Sequence, residues 1–132
     1  MEFNKEKSIF LQIADMVCEN ILSGKWKNGD RIPSVREMAV AIEVNPNTVM
    51  RTYTFLQEKG ILSNKRGIGY FASDDSYRYA LKYKKDEFLN RDLPRFLRTL
   101  RLLGLNLNDI RGYLKEHSKK EDAMRRKHEN QQ

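Results

Sequence analysis

A mainly α-helical chain with one small β-hairpin is the fold class this sequence predicts. Three observations predict it. Apolar residues recur at helical spacing through SIFLQIADMVCENILSG. Two separate helix-start signals, at Ser34 and Asn45, lie close together in the chain. One segment, ILSNKRGIGYFAS, carries β-branched and aromatic residues on both sides of a turn.

The first helix rests on Ile9, Ile13, Val17 and Ile21, one apolar stripe with Phe10 and Ala14 beside it. Gly24 stops it, as glycine commonly does just past a helix end. KWKNGDRIP then reads as a loop with a turn at Asn28-Gly29-Asp30. In the second helix Ser34 and Glu37 form the S-x-x-E pattern of a capping box, and Met38, Ala39 and Ile42 supply the buried side.

Only Glu43 and Val44 separate this helix from the next. Asn45 fits the N-cap, and Pro46 fits the first helical position, where its missing N–H costs nothing. Val44 and Val49 are spaced to close a hydrophobic staple. Val49, Thr52, Tyr53 and Leu56 face inward at helical spacing, so Asn47, Thr48, Met50, Arg51 and Thr54 face out. Gly60 ends the helix. Two short helices joined by a tight turn make a helix-turn-helix, whose second helix enters the major groove and reads bases with its first residues. Cap, proline and staple together control the entry angle of that helix.

Ile61–Ser63 and Ile68–Ala72 read as a hairpin turning at Asn64-Lys65-Arg66-Gly67. Such a hairpin is a wing, with Lys65 and Arg66 at its tip for phosphate or the minor groove. From Asp74 the chain reads as helical again. Tyr77, Ala80, Leu81, Phe88, Leu89, Phe96, Leu97, Leu100 and Leu103 share a broad apolar side. Pro94 either kinks this run or marks a second helix starting near Asp92. After Gly104, Asn106 or Asn108 caps a last helix carrying Leu107, Ile110, Tyr113 and Leu114. The tail from Lys115 reads as helix extension followed by fraying or disorder. The predicted organisation is a winged helix-turn-helix over residues 1–73 and an α-helical dimerisation arm over 74–132.

Composition bounds the function. The 132 residues are 39% hydrophobic and 33% charged, enough for a modest core. No apolar run is long enough to span a bilayer. MEFNKEKSIF lacks the apolar segment of a signal peptide. Cys18 is the single cysteine, so no internal disulfide forms, and a cytoplasmic location is expected. Net charge is +7 and the sequence pI is about 9.6, a balance that points first to nucleic acid. The charge is uneven: residues 1–73 hold 10 basic against 8 acidic side chains, and residues 74–132 hold 15 against 10. Bulk charge therefore does not locate a DNA face on the first half, and particular residues must. Asn47 is suited to adenine or phosphate, Thr48 to either, and Arg51, one turn on, to the O6/N7 edge of guanine. Tyr53 reads as core and Trp26 as packed over the first half. Cys18 reads as inert packing. His117 and His128 lack metal-ligand partners at useful spacing, so no metal and no cofactor are expected. No phosphate-binding glycine loop and no supported nucleophile occurs, so an enzyme is not expected.

FLQIADMVCENILSGKWKNGDRIPSVREMAVAIEVNPNTVMRTYTFLQEKGIL followed by KRGIGYF resembles the winged-helix domain of the GntR family of bacterial transcription regulators, over residues 8–73 without gaps. The short helical arm is similar to that of the YtrA-type subfamily. The resemblance implies a homodimer on a palindromic operator, usually as a repressor, with the C-terminal helices forming the dimer. It also implies DNA contacts from Ser34 and Arg36, from Asn45 to Thr48 and Arg51, and from Arg66-Gly67 in the wing. The dimer residues are then Tyr77, Leu81, Phe88, Leu89, Phe96, Leu97, Leu100 and Leu103. Subfamily members are often linked to transporter operons. The sequence departs from the family at Pro46 and Met50, where many members carry arginine, and at Glu43, commonly glycine. An effector is not legible; a dimer-interface groove near Tyr77, Tyr79, Tyr83 and Phe88 is one place for a small apolar molecule. Three other readings compete: a winged helix that binds protein, a non-specific nucleic-acid binder driven by the basic tail, and a DNA reader that activates.

Overall fold

The computed structural model describes residues 7–130. The first six and last two residues, including most of the stretch read as lacking a signal peptide and the end of the tail, lie outside it. Helix α1 spans Ile9–Leu22, α2 Val35–Ile42 and α3 Pro46–Glu58. Strands β1 (Leu62–Lys65) and β2 (Gly69–Ala72) follow, then α4 (Ser76–Glu87), a π-helical turn (Phe88–Asp92), α5 (Leu93–Leu103) and α6 (Leu107–Asn130). The mainly helical class with a hairpin wing is what the sequence predicted. Among the described residues no helix is long and apolar enough to cross a membrane.

The chain divides into two compact units between Glu87 and Phe88. In the first, Ile13, Val17 and Ile21 of the α1 stripe pack with Met38, Ala39, Val49, Tyr53, Leu56, Ile61 and Leu62. Ile9 is half-exposed at the head of the stripe, and Trp26 packs against the cluster from its loop. Cys18 is fully buried, and that burial pushes its thiol up to about 12.

The sequence reading ended the first domain at residue 73, whereas α4 belongs to the first compact unit. Ala80 enters its core, and Tyr83 packs against it. At the far end of α4, Lys7 bonds Glu87 at 2.6 Å and Lys84 bonds Asp15 at 2.8 Å, closing a half-buried cluster of ion pairs against α1. Shared with the apolar run that follows, the helical period of α4 gives no hint of this side-to-side choice.

The wing differs in register from the expected one. Leu62 pairs with Ala72 and Lys65 with Gly69, so Lys65 ends a strand and the turn is Arg66-Gly67-Ile68. The Ile68 amide donates to the Lys65 carbonyl at 2.9 Å, and Gly67 takes a positive φ of 77° that a side chain would strain. The KWKNGDRIP loop is also more ordered than its composition suggests. Arg31 bridges Phe71 in antiparallel fashion, Ile32 N–H donates to the Tyr70 carbonyl at 3.0 Å, and Ala72 N–H to the Asp30 carbonyl at 2.8 Å. This third partner of the wing is a long-range pairing, invisible to local propensity, and Pro33 prevents its extension.

In the second unit the segment before Pro94 is a π-helical turn that leads directly into α5. Pro94 lacks the N–H that would bond the Asn90 carbonyl, and residues 88–92 widen into the π-helical turn before α5 begins at Leu93. Gly104 closes α5 in the left-handed region at φ 69°. Asn106 starts α6 with a reciprocal cap: the Asp109 amide donates to its Oδ1 and its own amide to Asp109 Oδ2, each at 3.0 Å. Helix α6 then continues through Asn130, where helix followed by fraying was expected. His117 sits 3.1 Å from Glu121 one turn on, an i,i+4 pairing that favours the helix.

Candidate nucleic-acid interface

The interface begins with the two helix starts. At α2 the Glu37 amide donates to the Ser34 hydroxyl at 3.0 Å, and the Ser34 amide donates to Glu37 Oε1 at 3.1 Å. This is the predicted capping box, and the bond from the Ser34 amide, helped by the Ser34 side chain, holds the Glu37 carboxyl below its usual range. Arg36 is exposed in the first turn of α2 and forms no ion pair among the described residues, neither with Glu37 nor with Asp30.

Helix α2 ends at Glu43, with φ 56° and ψ 51°. It is the sole non-glycine residue with positive φ among the described residues. The turn therefore keeps the left-handed conformation that a glycine would supply, and a glutamate tolerates it at a cost. Val44 N–H donates to the Ala39 carbonyl at 3.0 Å, closing the turn. At α3 the Asn45 side chain accepts from the Asn47 amide at 2.8 Å, and Pro46 occupies the first turn as predicted. Asn45 is thereby occupied with capping through its Oδ1. Asn47 is exposed, and Thr48 is half-buried at the edge of the helix.

The buried side of α3 is held by two hydroxyls. Tyr53 donates to the Pro33 carbonyl at 2.7 Å, and Thr52 to the carbonyls of Phe10 at 2.9 Å and Thr48 at 3.1 Å. Tyr53 and Thr52 are both fully buried, so Tyr53 is core, as expected. On the outer side Met50 is exposed, with its sulfur 3.7 Å from the Tyr70 hydroxyl of the wing.

Arg51 is exposed but not simply solvated. Its guanidinium carbon lies 3.8 Å from the centre of the Phe10 ring. It forms no ion pair among the described residues. Ser8, Ile9, Phe10, Asn47, Thr48 and Arg51 line one shallow open pocket. In the wing, Arg66 and Gly67 are exposed in the turn, while Lys65 reaches back over the Phe71 ring at 4.4 Å.

Sequence reasoning missed Arg31. It is exposed at the base of the wing, and its side chain would meet any Cβ placed on Gly69 at 3.4 Å. Gly69, at φ 143°, gives the arginine its room. The Gly-x-Gly of the wing was the available signal, since an isolated glycine in a strand marks close approach. Reasoning also missed Phe10, whose place on the first helix suggested core alone.

The residues assigned to dimerisation fall into both units. In α4, Tyr77 is exposed and Leu81 half-buried. In the second unit, Phe88, Leu89, Phe96, Leu97 and Leu103 are 43–64% exposed, whereas Leu100 is 7% exposed. The tyrosines named for an effector groove diverge. Tyr79 lies over Gly60, and Tyr83 stands edge-on to Phe55 at 5.7 Å.

Comparison with known proteins agrees with this architecture. Residues 10–71 match the model of bacterial regulatory proteins of the gntR family. The chain is 35% identical to the HTH-type transcriptional regulator YhcF of Bacillus subtilis over 83% of this chain and 88% of that one. It is 34% identical to the HTH-type transcriptional repressor YtrA of the same organism, over 83% and 84%. A putative GntR-family regulator from Bacteroides thetaiotaomicron superposes with a TM-score of 0.71 at 39% identity, covering 86% of this chain and 99% of that one.

Proposed function

The chain belongs to the GntR family, a family of DNA-binding transcriptional regulators and not of enzymes, and from that premise we propose that it is a homodimeric repressor reading an inverted-repeat operator in the cytoplasm. One observation carries the proposal: the start of α3 is controlled by a cap, a proline and a closed turn, and the same compact unit exposes Arg36, Arg51 and Arg66, which form no ion pair among the described residues. Asn47, Thr48 and Arg51 meet base edges or their flanking phosphates. Ser34 and Arg36 at α2, and Lys65, Arg66 and Gly67 in the wing, hold the backbone. Arg31 joins the wing contacts. Asn45 acts through its cap.

A single winged helix has a small footprint. The exposed apolar side of α5, with Phe96, Leu97 and Leu103, supports pairing with a second copy, and Phe88 and Leu89 extend that side. Two copies related by a two-fold axis require two half-sites in inverted orientation. Tyr77 and Leu81, also read as dimer residues, lie on α4 within the first compact unit. The name of the relative YtrA, a transcriptional repressor, supports the sign of regulation.

Sedimentation velocity of the full chain and of Leu97→Glu tests the dimer. The wild type sediments as a dimer and the variant as a monomer, which binds a paired site no better than a half-site. A wild-type monomer, or a variant that still pairs, contradicts the proposal.

A further inference from the structure

We propose that Phe10 is a positioning residue for Arg51, so that the first turn of α1 belongs to the DNA-reading surface. The inference rests on the proposed docking of α3. Arg51 is the one cation of α3, whose sequence runs PNTVMRTYTFLQE, and its guanidinium carbon sits over the Phe10 ring, 3.8 Å from the ring centre. A guanidinium covered on one face keeps its N–H donors around its edge, where they point away from the ring. A long exposed side chain otherwise gives up rotamer freedom when it binds; the stack removes part of that freedom beforehand.

Phe10 is itself held in place from two directions. Its ring stands edge-on to Phe55, centroids 5.9 Å apart at 82°. Its carbonyl accepts the hydroxyl of buried Thr52 at 2.9 Å, the residue next to Arg51. The ring is thus keyed to the turn of α3 that carries the arginine. Phe10 and Arg51 also share one concavity with the polar first turn, Asn47 and Thr48, so the fork and the two short polar side chains face the same ligand edge. The chemistry that fits is a pair of acceptor atoms on duplex DNA, supplied either by the O6/N7 edge of guanine or by a phosphate.

A double-mutant cycle tests this. The probe is the duplex that the wild-type full chain enriches from a random library, and the readout is its Kd. Phe10→Leu keeps apolar volume at the site and raises Kd roughly threefold to tenfold. In the Arg51→Ala background the same change has no further effect, because there is no fork left to position. Phe10→Tyr, which keeps the ring, binds like the wild type. A purely structural Phe10 produces the opposite pattern: equal losses in both backgrounds, which overturns the inference while leaving α3 as the reader. If Arg51→Ala itself leaves Kd unchanged, the docking of α3 fails and this inference with it. Should Phe10→Leu fold poorly, Phe10→Met in the two backgrounds carries the same test, since it also removes the ring and fills the site with a flexible apolar side chain. Single-base substitutions in the probe separate the two ligand edges: a preference that Phe10→Leu relaxes at one base pair assigns the fork to guanine, and a uniform loss assigns it to phosphate.

Discussion

The hydroxyl of Tyr53 donates to the carbonyl oxygen of Pro33 at 2.7 Å, tying the buried side of α3 to the residue that precedes the α2 cap. The same ring stands edge-on to Tyr70 of the wing at 4.9 Å. One side chain thereby references three parts of the proposed DNA face to each other: the start of α2, the middle of α3 and the wing. Tyr53→Phe keeps the ring and leaves the Pro33 carbonyl without that donor. It is expected to lower stability by about 1 kcal/mol in urea unfolding, with little change in the m-value.

The α2 cap makes a second prediction. Ser34→Ala removes the hydroxyl that accepts from the Glu37 amide, and is expected to cost about 1 kcal/mol near neutral pH. Glu37 titrates below its ordinary value because the Ser34 backbone and side chain bond its charged form. A carboxyl with a depressed folded pKa stabilises above its unfolded pKa, and that contribution disappears as pH falls through the folded one. Unfolding followed below pH 4.5, the ordinary value, therefore shows the Ser34→Ala deficit shrinking in acid.

Glu43 makes a third. At φ 56° it holds a conformation that costs an L-residue strain and a glycine none. Glu43→Gly is expected to stabilise by about 0.5–1 kcal/mol, the relief of strain outweighing the greater freedom of glycine in the unfolded chain. A rise in melting temperature with unchanged DNA affinity is the result to look for. Destabilisation would mean that the glutamate side chain offsets the strain by a contact of its own.

Helix-three and wing cations should fail differently. Arg51→Ala is expected to weaken binding and to relax base choice at one position. Arg66→Ala should weaken all sequences evenly and reduce the slope of log K against log salt by about 1. Deleting the chain from Lys115 onward should leave affinity largely intact, because none of the tail's basic residues is among those proposed to read DNA. A large loss on deletion would instead favour tail-driven, non-specific binding.

These sites were legible in the sequence to different degrees, and the reason is range. Ser34 with Glu37, Asn45 with Pro46, and Gly60 with Gly104 act on chain neighbours, so their residue types alone announced helix ends that the structure contains. The pattern Val49, Thr52, Tyr53 and Leu56 announced a buried side for the same reason. What escaped was contact at distance. The pairing of Arg31 with Phe71 joins a glycine-containing turn to a strand that it does not resemble. The stack of Arg51 on Phe10 joins residues on different helices. The choice of α4 to pack on α1 depends on Ala80 and on ions from both helices, Lys7, Asp15, Lys84 and Glu87. Pro94 announced an interruption, but the widening of residues 88–92 into a π-helical turn depends on which carbonyls find donors.

The most direct test of the central claim is selection from a random duplex DNA library with the full-length protein at near-physiological salt. The account predicts enrichment of one inverted repeat, with half-sites spaced to suit a two-fold dimer. Enrichment of no sequence, with binding that vanishes as salt rises, would contradict it and leave net charge as the whole of the interaction.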